Sequence, residues 1–345
     1  MVEESEELAV TTNATGENET PLSEPPEASL DLSVGSSLDP GRDGSLEPAS
    51  SDGTSDDGAS DDGAAPRRAD QTSLLLRTAR GKVSRLEYLQ MRAIRRTLEP
   101  GGLDVTLRFL QRTVGVFWIT QATRNLHHAH HIERLRPLLP DKSFILVSNH
   151  RSFFDLYVLT ATLLQWGMRQ RIVFPVRSNF FYDTPAGFIV NGAMSFFAMY
   201  PPLFRDKKRA PLNALGLSEL AGLLRAGNTL VGIHPEGRRN PGDDPYQLLP
   251  AKSGVGRLIH AARDVAVVPV FTNGLLPNDL PRQIKSNFDG TGRRINSVFG
   301  EPIDFSSELA EPASPRLFTK IAERCLDAVR ELGREEKALR EADGG

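Results

Sequence analysis

Short apolar runs set apart by helical stretches are the feature that most limits how this chain can fold. Ser143–Ser148, Arg171–Val176, Thr229–His234 and Val265–Phe271 are each about one strand long. Ser152–Gly167, Ala210–Ala226 and Lys252–Arg263 lie between them with helical patterning. A later β-like run, Arg294–Val298, leads into Phe299-Gly300-Glu301-Pro302-Ile303. Strands that alternate with helices build a parallel sheet covered by those helices. The expectation is an α/β fold with a central, mostly parallel sheet. Amphipathic helices and a disordered N-terminal tail should precede it.

Four regions follow from composition. Residues 1–70 are rich in Glu, Asp, Ser, Gly and Pro, with 18 acidic and 3 basic side chains. Too little apolar surface is present there to offset chain entropy, so the expectation is disorder. Residues 71–130 read as an amphipathic helical segment, 131–310 as the α/β domain and 311–345 as a C-terminal helix. From residue 71 onward the chain carries 38 basic and 26 acidic side chains. Such a body suits an anionic partner: a phospholipid surface, a phosphorylated substrate, coenzyme A or nucleic acid. The single cysteine, Cys325, excludes an internal disulfide. Met1 to Val10 is acidic and lacks the apolar core of a secretory signal.

From Gln71 to Leu98, apolar residues recur at helical spacing, with Arg85, Arg92, Arg95 and Arg96 among them. Pro100-Gly101-Gly102 breaks this pattern, and a second helix is expected over Leu103 to Arg124. These helices either lie in a membrane interface or pack on the domain, and the sequence leaves both readings open. His127, His128, His130 and His131 read as a solvated polar segment, and no metal site is expected. Thr184 to Phe204 has no charged side chain, but Pro185, Gly187, Gly192, Pro201 and Pro202 punctuate it. It reads as a buried helix and a strand rather than a membrane span. At the C-terminus, Leu317, Ile321, Cys325, Val329 and Leu332 form one apolar stripe.

Three blocks carry candidate chemistry. The first is Asn149-His150, with Asp155 five positions beyond the histidine. A histidine can take a proton from an alcohol near neutral pH, and a carboxylate on its other ring nitrogen fixes the tautomer. Asp155 also fits a capping role, because Ser152-x-x-Asp155 resembles a helix start. The second block is Ile233-His234-Pro235-Glu236-Gly237-Arg238-Arg239-Asn240 at a strand end, where open α/β sheets place ligands. Arginine forks match phosphate oxygens, and a carboxylate accepts from hydroxyls. The third is basic: Arg177 after one apolar run, and Arg205 after Pro201-Pro202-Leu203-Phe204.

Together these blocks resemble the glycerolipid acyltransferase family, which includes the 1-acyl-glycerol-3-phosphate acyltransferases. The H-x-x-x-x-D signature corresponds to His150 and Asp155, and the proline-glutamate-glycine block to Pro235-Glu236-Gly237. Val267-Val268-Pro269-Val270 resembles the family's last block. The resemblance runs in order from about Ser143 to Phe305. Ile233-His234 and Arg238 depart from the family pattern, and the glycine-to-Arg205 interval is longer.

The resemblance implies an O-acyltransferase that moves a fatty acyl group from a thioester to a hydroxyl of a lysophospholipid or glycerol phosphate. His150 would be the general base and Asp155 its orienting partner. Arg177, Arg205, Glu236, Gly237 and Arg239 would bind substrate, and the Phe180 to Phe204 region would host the acyl chain. The co-substrate would be acyl-CoA or acyl-carrier protein, with no bound cofactor. The expected setting is cytoplasmic and peripheral, at an anionic membrane face. The alternative is an inactive, membrane-binding protein on the same fold. A hydrolase is a weaker reading, because no G-x-S-x-G elbow occurs. No motif supports nucleic-acid binding.

Overall fold

The computed structural model describes residues 73–342 apart from 140 and 277–278. The expected acidic tail therefore lies outside the described residues. The seven strands are β1 (His127–His130), β2 (Phe144–Ser148), β3 (Arg171–Arg177), β4 (Met199–Leu203), β5 (Thr229–Ile233), β6 (Ala266–Asn273) and β7 (Ile295–Phe299). Helices α1 (Leu74–Ala79), α2 (Arg85–Thr97), α3 (Gly102–Leu110) and α4 (Val116–Thr123) precede the sheet. After β2 comes α5 (Asp155–Gln165); α6 (Ser178–Phe181) and α7 (Pro185–Ser195) follow β3. Then α8 (Ala210–Ala226) follows β4, α9 (Ser253–Ala262) follows β5 and α10 (Leu280–Asp289) follows β6. Last come α11 (Ser306–Ala310) and α12 (Pro315–Ala342).

The strand order is β1-β7-β6-β2-β5-β3-β4. Every pairing is parallel except β6 with β7. This is the expected α/β sheet. β2 lies at its centre, between β5 and β6, and both of its faces are covered. Ile145 and Val147 join the core shared with α1, α2, α8, α9 and α12. Phe144 and Leu146 enter the opposite core with α5. The two-residue period of a strand sends alternate side chains to opposite faces, so a fully buried strand reads as one apolar run.

Several local expectations change. The helical pattern of 71–98 is broken after Ala79 and restarts at a capping box. There Ser84 Oγ accepts from the Glu87 amide at 3.1 Å, and Glu87 Oε2 accepts from the Ser84 amide at 2.8 Å. Between α3 and α4, residues 111–115 form a π-turn. The four-histidine segment is not a solvated stretch at the end of a helical region. His127–His130 pairs in parallel with Ile295–Val298 as an edge strand. His127 Nε2 lies 2.9 Å from Ser297 Oγ. A backbone ladder and a polar partner accommodate letters that carry no apolar period.

The uncharged stretch from Thr184 to Phe204 does form a helix and then a strand, α7 and β4. The helix is only half buried: Gly187, Asn191 and Ser195 face inward, and Ile189 is exposed. Among the described residues, no helix is long and apolar enough to cross a membrane. The C-terminal stripe from Leu317 to Leu332 is buried as expected. α12 comes so close to α9 that a Cβ on Gly256 would sit 1.9 Å from the Phe318 carbonyl oxygen.

Candidate active site

Parallel strands deliver their C-terminal ends to one edge of the sheet, and the loops leaving β2 and β5 meet there. Val147 pairs with Ile233, so the residues just beyond both strands become neighbours. Asn149 extends the β2 pairing with its side chain. Its Nδ2 donates to the Thr272 carbonyl at 2.8 Å, and its Oδ1 accepts from the Thr272 amide at 2.9 Å. This amide clamp fixes the chain immediately before His150.

His150 and Asp155 come together as the spacing predicts. His150 Nδ1 lies 3.2 Å from Asp155 Oδ2, and Asp155 is 1% exposed. The same oxygen accepts from the amides of Arg151 at 2.7 Å and Ser152 at 2.8 Å. Asp155 therefore satisfies amides of the turn that leads into α5 and faces the histidine as well, while α5 itself has no side-chain cap bond. Its other oxygen, Oδ1, is buried and has no hydrogen-bond partner. Asp155 also lines a polar cavity of about 150 Å³ with Arg151, Thr272, Asn273 and Arg293.

A second histidine completes the centre. His234 stacks on His150 with ring centroids 3.8 Å apart and planes 3° from parallel. Its Nδ1 donates to the Ser148 carbonyl at 3.0 Å. Burial drives His150 down to about 3, the Arg239 guanidinium adds to that effect, and a backbone bond at Ser152 opposes it. His234 is also lowered to about 3, by burial and then by His150. Burial raises Asp155 to about 6, against the pull of His234 and the surrounding amides. Near neutral pH the centre thus holds two neutral imidazoles and one carboxylate. With Nδ1–H donated to Asp155, His150 Nε2 carries the lone pair.

His150, Asp155 and His234 bring ligand-type atoms within 4.8 Å of one another. The two rings lie parallel, and Asp155 Oδ2 already accepts from three N–H groups.

Glu236 does not face an acceptor as expected. It is 0% exposed. Oε1 accepts from the His150 amide at 2.8 Å, and Oε2 from the Leu249 amide at 2.8 Å. Burial raises its pKa, and those amides oppose the rise. In this structure both oxygens brace the backbone. Gly237 is a turn residue: φ is +67°, and a Cβ would sit 3.0 Å from Lys252 Cγ. Its amide donates to the His234 carbonyl at 3.0 Å. The amides of His150, Arg151 and Ser152 are likewise spent on Glu236 and Asp155.

The three expected phosphate ligands are exposed at this end of the sheet. Arg239 lies near enough to depress His150. Arg177 closes β3, and Arg205 follows the end of β4. β3 and β4 are the second and third strands out from β2 on that side, roughly 10 and 14 Å across the sheet.

Beside the dyad, Phe153, Phe154, Tyr157, Trp118 and Phe181 form an aromatic group. It adjoins a narrow apolar cleft of about 30 Å³ lined by Gly115, Trp118, Tyr157, Met194 and Phe196.

A family model described as Acyltransferase matches residues 108–273, which span the dyad and the Pro235-Glu236-Gly237 block. Residues 108–273 are thus similar to the acyltransferase family. No curated protein matches it. Among solved structures, the chain is similar to the 1-acyl-sn-glycerophosphate (LPA) acyltransferase, PlsC, from Thermotoga maritima. Identity is 18%, the overlap covers 76% of this chain and 94% of that one, and the TM-score is 0.44. The matched region holds every expected site residue. β7 and α10–α12 lie outside it.

Sequence pattern alone assigns His234 no role. A histidine before Pro235-Glu236-Gly237 was visible, but its ring contact depends on β2 and β5 being adjacent.

Proposed function

We propose that this acyltransferase moves an acyl group from a thioester to the hydroxyl of a phosphorylated lysolipid or glycerol phosphate, with His150 as general base. The observation that carries this reading is the assembled dyad: a neutral imidazole whose Nδ1 is committed to a buried carboxylate. The acceptor O–H gives its proton to His150 Nε2 as the oxygen attacks the thioester carbon. A C–O bond forms, the C–S bond breaks, and the proton passes to the leaving thiolate. The acyl donor is acyl-CoA or acyl-carrier protein.

Arg239, Arg177 and Arg205 hold the acceptor phosphate. Pairing Arg239 with phosphate cancels the charge that depresses His150, so acceptor binding itself strengthens the base. The acyl chain runs into the cleft at Met194 and Phe196.

The acceptor and the acyl chain reach this centre from an anionic membrane face. α3 and α4 turn Leu103, Val105, Phe109 and Phe117 outward. Exposed apolar side chains on neighbouring helices suit an interface, and basic side chains such as Arg112 add attraction to anionic lipid. The assembled dyad supports catalysis over the inactive, membrane-binding alternative. A screen of thiol release from acyl-CoA against lysolipids with and without phosphate tests the reading, with products identified by mass. Release only with phosphorylated acceptors is expected. Vesicle binding without thiol release from any donor would favour the inactive alternative.

A further inference from the structure

The acyltransferase match stops at residue 273, but a hydrogen-bond path reaches His150 from α12. Residues 234–252 leave β5 and contain no helix or strand until α9. A stretch of that length without regular structure needs anchoring if it is to hold a reacting group still. It is anchored at three places. Near its start, Glu236 Oε1 accepts from the His150 amide and the Asn240 amide donates to the His150 carbonyl, both at 2.8 Å. The loop thus grips His150 by both backbone polar groups. Near its end, the Leu249 amide donates to Glu236 Oε2, and the Lys252 amide donates to the Pro235 carbonyl, again at 2.8 Å.

The middle of the loop is held by Tyr246. Its ring stacks on Phe271 with centroids 5.8 Å apart, and its hydroxyl donates to Glu336 Oε2 at 2.8 Å. Glu336 is 0% exposed. It also accepts from Asn273 Nδ2 at 3.2 Å, Asn296 Nδ2 at 3.0 Å and Arg340 Nε at 2.9 Å. One carboxylate on the C-terminal helix therefore joins the ends of β6 and β7 to the loop behind the dyad. Buried carboxylates are costly unless their acceptor sites are filled, and here the donors include a loop residue.

We propose that Glu336 and Tyr246 are positioning residues: α12, through them, sets the loop that holds His150 in place for acyl transfer. The kinetic part of this proposal rests on the reading of His150 given above, and the structural part does not. The test uses the full chain. Tyr246→Phe removes only the hydroxyl and keeps the stack on Phe271. Glu336→Ala is the stronger variant, and Tyr246→Phe decides the matter if Glu336→Ala fails to fold.

Hydrogen exchange should quicken in Tyr246→Phe at the amides of His150, Asn240 and Leu249, with β2 and β5 unchanged. kcat should fall about tenfold, with the donor KM held and the melting temperature near that of the parent, since small misplacements act on the transition state. Unchanged exchange at those three amides, or an unchanged kcat, would overturn the proposal. Absence of acyl transfer in the parent protein would refute the proposed function, and the exchange result would still judge the latch.

Discussion

At the residue scale, Asp155 serves two partners. It accepts from the amides of Arg151 and Ser152 in the turn before α5, and from His150. Asp155→Asn can keep the amide bonds but places no negative charge beside the imidazole. Its kcat should fall by roughly 10³- to 10⁴-fold, measured by thiol release. Stability should move the other way. Burial raises the folded pKa above the ordinary 3.8 to about 6. The native state therefore binds this proton more tightly than the unfolded chain does. The stability it contributes is full below 3.8 and is lost as pH rises through about 6. At pH 7.5 the ionised group is a burden, so Asp155→Asn should melt no lower than the parent.

Because Asp155 takes up a proton below about 6 and His150 only near 3, the acid limb of kcat/KM should fall through about pH 6 with a slope of one. Arg239→Gln should raise the His150 pKa, read from its imidazole resonances, and should also raise the acceptor KM.

At the element scale, the strands that sequence reading recovered are those buried on both faces. Phe144–Ser148 and Thr229–Ile233 appear as apolar runs because every position meets a core. β1 was not legible, since an edge strand of His-His-Ala-His is held by its ladder and by Ser297 rather than by apolar burial. Arg171 was equally hidden. It opens β3 with an arginine, yet it is 4% exposed. Its Nη2 donates to the Phe196 carbonyl at 3.1 Å, and its Nε lies 3.6 Å from Asp104 on α3. That pair ties α3 to the sheet beside the apolar cleft.

Asp104→Ala would strand a buried guanidinium, so urea unfolding should show a loss of about 3–5 kcal/mol. The outer side of the same helical segment makes a separate prediction. Phe109→Glu with Phe117→Glu should lower binding to anionic vesicles several-fold without lowering the melting temperature, since both rings are exposed. Unchanged vesicle binding would remove α3–α4 from the membrane account.

At the scale of the whole molecule, charge and site point to the same partner. The chain from residue 71 onward carries 38 basic against 26 acidic side chains, and Arg177, Arg205 and Arg239 are exposed where the parallel strands end. Vesicle binding should therefore weaken as salt rises from 0.05 to 0.5 M, because screening shortens the reach of these charges to about 4–5 Å at the upper end. A chain beginning at Gln71 should show whether the acidic tail opposes that binding. Motif order located His150, Asp155 and the Pro235-Glu236-Gly237 block, because a short sequence interval fixes each piece. It missed the contacts of His234 with His150 and of Glu336 with Tyr246, because only the folded sheet brings those distant residues together.

The central claim is that His150 takes the acceptor proton. The most direct measurement compares the parent protein with His150→Ala on vesicles containing a phosphorylated lysolipid and a labelled acyl thioester. The account predicts one acylated product per thiol released by the parent. It also predicts a rate at least about 10³-fold lower in His150→Ala at an unchanged melting temperature. Product formation at the parent rate by a folded His150→Ala would contradict it.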